Sequence, residues 1–403
     1  MNLSIRFFYI IISILFSSFI IYLSFHEDYW LKFWTFLNVP TQLPPFSDLD
    51  SINRSLLSLK QGFNPYFENP NDISQTRYMY PKIWLYIFDV LNLQDSLNFN
   101  IFCFITVFTY CYTILNLSLL FKNKYLNGIL AIFFLSTTNF ILLERLNIEI
   151  IIFIISCLLL TLNSFFKQNI LFVLITLLKI FPIFSIIAFI DKKKKFLTVF
   201  ICSFLIILIF NKEITVMRAN MIEYALIVAY GIGTIAKGLY YYSIHLDLFI
   251  NDNNYSLFRN SLIFLGGCFT ILIFFIFFKF GEKKINSEIS LHEKFFLFGG
   301  GIYIGTYLTS ANIDYRLIFL LFTIPYILIN SKNYINLFYI LSFLICINSF
   351  LFEGGNNYSL EYLIKAGIVH GMKFYIFTYI VITISKIINN YLVINYKFNK
   401  STI

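Results

Sequence analysis

Two carboxylates, Asp48 and Asp50, stand in the sequence SDLDSINRSLLSLKQGFNPY, directly after the first apolar segment. One interpretation is local: Asp50 can cap the helix, and Asp48 in the first turn interacts favourably with the helix dipole, by about 0.3–1 kcal/mol. The other is functional. A carboxylate fixed at the start of a helix in the membrane interface would lie at the depth of lipid phosphates and sugars, where charges are screened less than in bulk water. The spacing leaves both interpretations open.

Two basic side chains, Arg316 and Lys179, are candidates to bind a lipid phosphate. Arg316 lies in SANIDYRLIFLL at the start of an apolar segment, and its planar guanidinium is well shaped to bind a lipid phosphate. The alternatives for Arg316 are snorkelling toward the headgroups or an ion pair with Asp314. Lys179 interrupts an apolar segment, and both a phosphate contact and a cytoplasm-facing position remain open for it.

The sequence LLERLNIE places polar residues at the junction between two apolar segments: Glu144, Arg145, Asn147 and Glu149. An ion in the middle of a membrane helix costs about 2.5–3.5 kcal/mol even on the lenient insertion scale. We therefore expect Arg145 to pair with Glu144 or Glu149, and a contact with a substrate is the alternative for Arg145 and Asn147.

These residues lie in a chain with the composition of an integral membrane protein. Of its 403 residues, 59% are hydrophobic and only 13% are charged, whereas soluble domains carry about 25% charged residues. The net charge of +9 comes from short basic clusters between apolar segments, which is how lysine and arginine fix loops on the cytoplasmic side. This distribution argues against nucleic-acid binding. No cysteine or histidine pattern indicates a metal site, and no nucleotide or other cofactor motif is present.

We predict an all-α polytopic fold with about ten membrane spans in a single membrane domain, residues 1–403. Hydropathy places the spans near residues 5–25, 98–121, 127–143, 148–165, 196–210, 262–279, 295–309, 316–330, 333–351 and 372–394. With both termini cytoplasmic, the basic clusters fall inside, and the large loops 26–97 and 211–261 fall outside. Residues 170–190 fit this scheme as a broken or re-entrant helix, interrupted by Lys179 and Pro182. The alternative is an ordinary span with a proline kink and a different number of spans elsewhere.

An amphipathic helix should position the two carboxylates. Ser47 and Asp50 resemble an S-x-x-D helix start, Leu49 to Phe63 carry apolar residues at helical spacing, and Gly62 suits a left-handed end. We expect the apolar face of this helix to lie in the membrane interface. Tyr66 and Tyr80 follow it, and such residues anchor at interfaces or stack on a sugar.

The chain resembles the GT-C class of membrane glycosyltransferases, and within it the GT87-type, polyprenyl-phosphate-sugar-dependent, mannosyltransferase-like family. The resemblance rests on Asp48 followed by Gly62 and NPY, on YMYPKIWL, on ERLNIE, on LLKIFPIF and on NIDYRLIFLL, which together span most of residues 1–330. Leu146 stands where relatives often have glycine, and Lys82 replaces the second proline of their Y-P-P.

The resemblance implies a helical membrane bundle in the bacterial plasma membrane, with its active site on the periplasmic or extracellular face. An inverting transfer would move mannose or a similar sugar from a polyprenyl-phosphate carrier to a glycan or glycolipid acceptor, without metal or cofactor. Asp48 matches the family's catalytic carboxylate, which would take the proton of the acceptor hydroxyl as a base. Asp50 would support it, and Arg316 and Lys179 would bind the donor phosphate. Further candidates for substrate binding are Tyr66, Tyr80, Arg145, Asn147 and Asp314.

Two other functions fit a polytopic chain with large outer loops. An outer-face polysaccharide polymerase would be expected to use arginine-rich outer loops, yet the basic residues of loop 211–261 are only Lys212, Arg218, Lys237 and Arg259. A lipid or glycan transporter would place polar groups near the bilayer midplane and show inverted repeats. This sequence shows no such repeat, and most of its charged residues gather at the outer ends of spans.

Overall fold

The computed structural model describes residues 3–73, 75–220, 227–245, 252–279, 289–309, 312–329, 333–352 and 360–401. This part of the chain is almost entirely helical. It forms two compact units, the first made of Met1–Ile180 and Thr198–Ile222, and the second of Phe181–Leu197 and Glu223–Ile403.

The first unit contains α1 to α9, most of α10, and α11. Their bounds are α1 (Leu3–Ser24), α2 (Glu27–Phe36), α3 (Ser47–Lys60), α4 (Ile83–Val90), α5 (Ser96–Phe121), α6 (Lys124–Phe134), α7 (Thr137–Arg145), α8 (Glu149–Thr161), α9 (Phe165–Leu178), α10 (Lys193–Ile209) and α11 (Asn211–Asn220). Helix α5 packs against both α1 and α8, and α8 packs against α9. Buried apolar residues of α5, α8 and α9 form the core of this unit, and α4 of the first predicted loop contacts α9.

Helix α3 has the bounds that the amphipathic pattern predicts, but its surroundings differ from the prediction. Leu49, Ile52 and Leu56 on its apolar face are each at most 3% exposed, and α4 and α7 pack against the helix. The expectation that this face lies in the lipid interface is therefore wrong, because protein side chains already cover it.

The start of α3 also corrects the sequence prediction. The residue before the helix, Phe46, has left-handed backbone (φ 61°, ψ 40°), and no side chain caps the helix N-terminus. Ser47 Oγ instead donates a hydrogen bond to Gln42 Oε1 at 3.0 Å. The predicted S-x-x-D cap is wrong, since the turn before the helix takes the serine hydroxyl away from the backbone.

The end of α3 confirms the predicted glycine stop. Gly62 has a positive φ of 91°, and the N–H of Phe63 donates to the carbonyl of Ser58 at 3.0 Å. This bond satisfies a carbonyl that would otherwise lack a partner at the helix end.

The second unit combines long helices with short strands and 3-10 segments. Its elements are a 3-10 helix Phe181–Phe189, β1 (Ala229–Tyr230), α12 (Ile232–His245), α13 (Asp252–Lys279), α14 (Leu291–Thr309), β2 (Asn312–Ile313), a 3-10 helix Asp314–Phe322, α15 (Ile324–Ile329), α16 (Tyr334–Cys346), a 3-10 helix Ser349–Phe352 and α17 (Leu360–Ser401). The strands β1 and β2 pair antiparallel, with Ala229 opposite Ile313 and Tyr230 opposite Asn312.

Helix α14 lies at the centre of this unit because its glycines admit close neighbours. A Cβ atom on Gly301 would lie 2.4 Å from the carbonyl oxygen of Phe184, and one on Gly299 would lie 2.3 Å from that of Phe319. Both distances are too short for any side chain. Glycine at these positions therefore lets two 3-10 segments pack directly on the helix, as small residues do at membrane helix interfaces.

Within the described ranges, four helices are long and apolar enough to cross a membrane, or up to six if each of two bent pairs counts as one span. The four are Ser4–Ser24, Ser96–Phe121, Asn254–Lys279 and Ile364–Tyr391, and the bent pairs are Lys124–Phe134 with Thr137–Arg145 and Lys194–Ile209 with Asn211–Asn220. This agrees with an all-α membrane protein, whereas the number of about ten spans stays a prediction.

Two predicted segments have a more broken backbone than ordinary spans. The predicted interruption in residues 170–190 is confirmed, because α9 ends at Leu178 and Lys179 has extended backbone (φ −162°, ψ 136°) before the 3-10 helix. The predicted span 316–330 is not one α-helix but the 3-10 segment Asp314–Phe322 followed by the short α15. The predicted outer loop 211–261 is largely helical, containing α11, α12 and the beginning of α13.

Candidate functional site

Asp48 lies in the first turn of α3, and its half-buried carboxylate contacts a residue 99 positions away in the chain. The side-chain amide of Asn147 donates from Nδ2 to Asp48 Oδ2 at 2.5 Å. A charge-assisted hydrogen bond of this kind is short and directional. It holds the carboxylate in one orientation and joins two of the segments that the sequence singled out.

The turn between α7 and α8 places Asn147 in this position. Leu146 has left-handed backbone (φ 45°, ψ 51°), and the N–H of Asn147 closes the end of α7 on the carbonyl of Leu142 at 3.2 Å. Asn147 Oδ1 then accepts the N–H of Glu149 at 3.0 Å, in the first turn of α8. Because the amide oxygen must face that N–H, its NH₂ group must face Asp48. Leu146 thus adopts a conformation that glycine adopts more easily.

Glu144 fixes the segment that leads into α3. Its side chain is fully buried, Oε1 accepts the N–H of Gln42 at 2.8 Å, and its backbone carbonyl accepts the N–H of Phe46 at 3.2 Å. Arg145 Nε lies 3.8 Å from Glu144 Oε2, so the predicted ion pair between these neighbours is confirmed. The end of α7 therefore positions Asp48 from two sides, through Glu144 and through Asn147.

Lys179 finds an acidic partner at the break after α9. Its Nζ lies 2.8 Å from Oε1 of Glu149, whose side chain is fully buried, and it lies 5.5 Å from the centre of the Tyr80 ring. The buried carboxylate balances the ammonium charge, and the ring face adds a cation–π attraction. A phosphate at Lys179 would thus share the ammonium with Glu149.

Asp48, Asn147, Glu149, Lys179 and Tyr80 form a connected set, which we call the first-unit polar cluster. Each member contacts the next: Asp48 binds the Asn147 side chain, Asn147 binds the backbone of Glu149, and Lys179 links Glu149 to Tyr80. Four separate stretches of sequence supply these residues. The packing of α3 on α7, of α8 on α9 and of α4 on α9 brings them together.

Tyr66 lies beside this cluster and is anchored by α11. Its hydroxyl lies 2.9 Å from both the carbonyl oxygen of Tyr80 and Oε1 of Glu213, and the same Oε1 accepts the N–H of Lys82 at 2.6 Å. Burial, together with the negative charge of Glu213, raises the pKa of Tyr66, so the phenol remains a neutral hydrogen-bond donor. Glu213 was not singled out from the sequence, where it is one acid in a long loop.

Asp50 points to different partners from Asp48. Its carboxylate forms an ion pair with Arg54, one turn along α3. Burial raises the pKa of Asp50, Arg54 opposes this shift, and the nearby Asp72 adds to it. Asp50 is therefore part of a local ion pair on α3 and not its N-terminal cap.

Arg316 belongs to the second unit, in the 3-10 segment after β2, and it is 8% exposed. Its guanidinium donates to Asn312 Oδ1 and stacks 4.7 Å from the centre of the Phe181 ring. Asn312 Nδ2 in turn donates to the carbonyl of Thr306 at 2.8 Å. These contacts hold the guanidinium against α14 and the Phe181 ring.

Asp314 is fully buried and forms an ion pair that the sequence did not reveal. Lys373 Nζ, in α17, lies 2.7 Å from Asp314 Oδ2, and Ser349 Oγ donates to the same oxygen. Lys373 also donates to the carbonyls of Ile227, at 2.5 Å, and Ala229, at 2.9 Å. An ion pair with Asp314 was one of the alternatives for Arg316; Asp314 instead pairs with Lys373, which no motif indicated.

The sequence-predicted site residues divide between the two units. Seven lie in the first unit, namely Asp48, Asp50, Tyr66, Tyr80, Arg145, Asn147 and Lys179, while Asp314 and Arg316 lie in the second. Among the described residues, no group of three or more His, Cys, Asp or Glu could hold a metal ion.

Comparisons with protein-family models, with curated proteins and with solved structures found no match for this chain.

Proposed function

We propose that this chain is a GT-C-type membrane glycosyltransferase. It would transfer a monosaccharide such as mannose from a polyprenyl-phosphate carrier to a lipid-linked or cell-envelope glycan acceptor, with inversion. The contact between Asp48 and Asn147 supports this proposal best, because it joins two of the segments that carry the family resemblance and orients the carboxylate proposed as the base.

Asp48 would act as general base. The acceptor hydroxyl gives its proton to the carboxylate while its oxygen attacks the anomeric carbon, and the bond from that carbon to the phosphate oxygen breaks with its electrons on the phosphate. Asn147 Nδ2 binds Asp48 Oδ2, which leaves Oδ1 for the hydroxyl. A base positioned in this way contributes about 10²–10⁴-fold to the rate.

The leaving phosphate needs positive charge as its bond breaks. Lys179, in the same unit as Asp48, is a proposed phosphate contact that would share its ammonium with Glu149. Arg316, in the second unit, stays a separate prediction for a phosphate contact. The proposal includes about ten spans in a bacterial plasma membrane, with the reaction on the outer face. There the donor and the acceptor are held by their lipid anchors.

The substitution Asp48→Asn tests the proposal. The amide keeps an oxygen that can accept from Asn147 Nδ2, so the fold should remain, whereas proton acceptance is lost. We expect transfer from a polyprenyl-phosphate sugar to fall about 10²–10⁴-fold per folded molecule. The measurement is label transfer by purified protein reconstituted in vesicles.

Asp50→Asn is the matched control, since it changes a carboxylate of the same helix turn that pairs with Arg54. We expect a much smaller loss of transfer for this variant. Turnover of Asp48→Asn near that of the unchanged protein would refute the assignment of Asp48 as the base.

A further inference from the structure

The first unit contains an apolar cavity next to the first-unit polar cluster: its lining residues include Pro81 and Ile180, the neighbours of Tyr80 and Lys179 in sequence. Its volume is about 330 Å³, which lies within the range of roughly 300–1,000 Å³ of ligand pockets. Residues of α4, α9, α10, α11 and the bend between α10 and α11 form its walls, among them Ile83, Tyr86, Leu177, Ile206, Phe210 and Met217. Such walls suit a hydrocarbon chain.

The bend between α10 and α11 indicates where this cavity lies relative to the membrane surface. The two helices meet at Phe210 with a bend of 70°. Just before the bend Ile209 is 73% exposed, whereas α11 begins with Asn211, Lys212 and Glu213. A change from exposed apolar to charged side chains within a few residues is typical of the boundary between acyl chains and headgroups.

Two opposite charges line the cavity where it meets the surface, Lys82, which is exposed, and Glu213, which is half-buried. Hydrogen bonds from Tyr66 Oη and the Lys82 N–H hold the Glu213 carboxylate in place. A headgroup with both a phosphate and an ammonium complements this pair. A lipid phosphate without an amine would be attracted by Lys82 but repelled by the negative charge of Glu213.

We propose that this cavity binds one acyl chain of a zwitterionic phospholipid, with the lipid phosphate at Lys82 and a primary ammonium at Glu213. The site differs from the proposed donor site and does not depend on the proposed transferase activity. A primary ammonium fits better than a quaternary one, because only N–H groups can donate hydrogen bonds to the carboxylate.

Native mass spectrometry of the delipidated protein in detergent tests this assignment. The probes are phosphatidylethanolamine, phosphatidylcholine and phosphatidylglycerol with identical oleoyl chains, and a polyprenyl phosphate. We expect one phosphatidylethanolamine per protein to bind about fivefold more tightly than either of the other phospholipids. Equal retention of the three phospholipids, or one-for-one displacement of phosphatidylethanolamine by the polyprenyl phosphate, would overturn it.

Substitutions identify the charged groups. Glu213→Gln keeps an oxygen for Tyr66 and for the Lys82 N–H but removes the charge, so the preference for phosphatidylethanolamine over phosphatidylglycerol should disappear. Glu68→Gln changes an exposed acid elsewhere in the same loop and should leave that preference unchanged. An unchanged preference in Glu213→Gln would also overturn the proposal.

Filling the cavity tests the acyl-chain half of the assignment. Met217→Trp adds volume from the α11 wall, and Ile83→Trp adds it from the α4 wall, so the test does not depend on a single substitution. We expect at least a fivefold loss of phosphatidylethanolamine binding in each folded variant. Undiminished binding in a folded variant would show that the chain lies elsewhere.

Discussion

At the residue scale, the side-chain amide of Asn147 joins the start of α8 to the proposed base on α3. The substitution Asn147→Ser separates these two contacts. A serine hydroxyl can still accept the Glu149 N–H, as serine does at helix N-termini, but it is too short to reach Asp48. We expect thermal stability close to that of the unchanged protein and transfer reduced about tenfold or more, because the carboxylate is no longer held in one orientation.

Asn147→Ala completes this comparison. Alanine loses both contacts, so the free energy of unfolding should also fall by about 1 kcal/mol, the usual cost of a lost helix cap. If Asn147→Ser keeps full transfer while Asn147→Ala loses only stability, Asn147 is a helix cap and nothing more.

The ion pair of Lys179 with Glu149 allows a double-mutant test. Lys179→Met removes the cation from a fully buried carboxylate, and breaking such a pair costs about 3–5 kcal/mol. Adding Glu149→Gln should recover part of that loss, with a coupling energy of about 0.5–3 kcal/mol. The measurement is the temperature at which a thiol-specific dye reaches the buried Cys157 of α8, in a variant whose other five cysteines are replaced by alanine, because Cys268 is exposed in the folded protein. Additive losses would show that the two side chains do not depend on each other.

At the element scale, Gly62 decides where α3 ends. Its φ is positive, and a Cβ atom there would have nothing within 4 Å, so Gly62→Ala should cost only the backbone strain of about 1–2 kcal/mol. Gly128, within α6, also has open space around its Cβ position but has no positive φ. Gly128→Ala should therefore stabilise, by about 0.5–1 kcal/mol. Equal shifts of the unfolding temperature in the two variants would contradict this account.

Helix α3 shows which local features could be predicted from the sequence. Its bounds and its glycine end follow from the spacing of apolar residues and from Gly62, because both depend on neighbours in sequence. The backbone turn at its start, which replaces the predicted cap, could not be predicted, since Phe46 takes a left-handed conformation and its N–H binds the carbonyl of Glu144, almost a hundred positions away. The burial of its apolar face likewise depends on α4 and α7.

The site residues divide in the same way. The sequence pointed to Asp48 and to Asn147 separately, but it did not show that the Asn147 side chain binds the Asp48 carboxylate. Lys373 could not be recognised, because its partners Asp314, Ile227 and Ala229 lie 59 to 146 positions away. Contacts over such separations leave no periodic pattern. The break at Lys179 was predictable because a lysine and a proline interrupt one apolar stretch.

At the scale of the whole molecule, sidedness is open to a direct test. In a variant with its six cysteines replaced by alanine, single cysteines at Glu68, Lys122 and Lys192 occupy exposed positions. We expect an impermeant thiol reagent added to intact cells to label only the position of Glu68, because short lysine-rich loops remain in the cytoplasm. Labelling at Lys122 instead of Glu68 would invert the proposed topology. Labelling at both Glu68 and Lys192, but not at Lys122, would mean that residues 170–190 cross the membrane.

Lys373 has a consequence for the order in which the second unit is built. During synthesis the ribosome releases Ile227, Ala229 and Asp314 before Lys373, which lies within the apolar helix Ile364–Tyr391. A lysine left alone in the hydrocarbon would cost this helix about 2.5–3.5 kcal/mol at its centre, and the three earlier oxygen acceptors remove that cost. We therefore expect this helix to insert stably only after the earlier elements of its unit are in place. A nascent chain that stalls before residue 373 would expose an unneutralised Asp314 to membrane quality control.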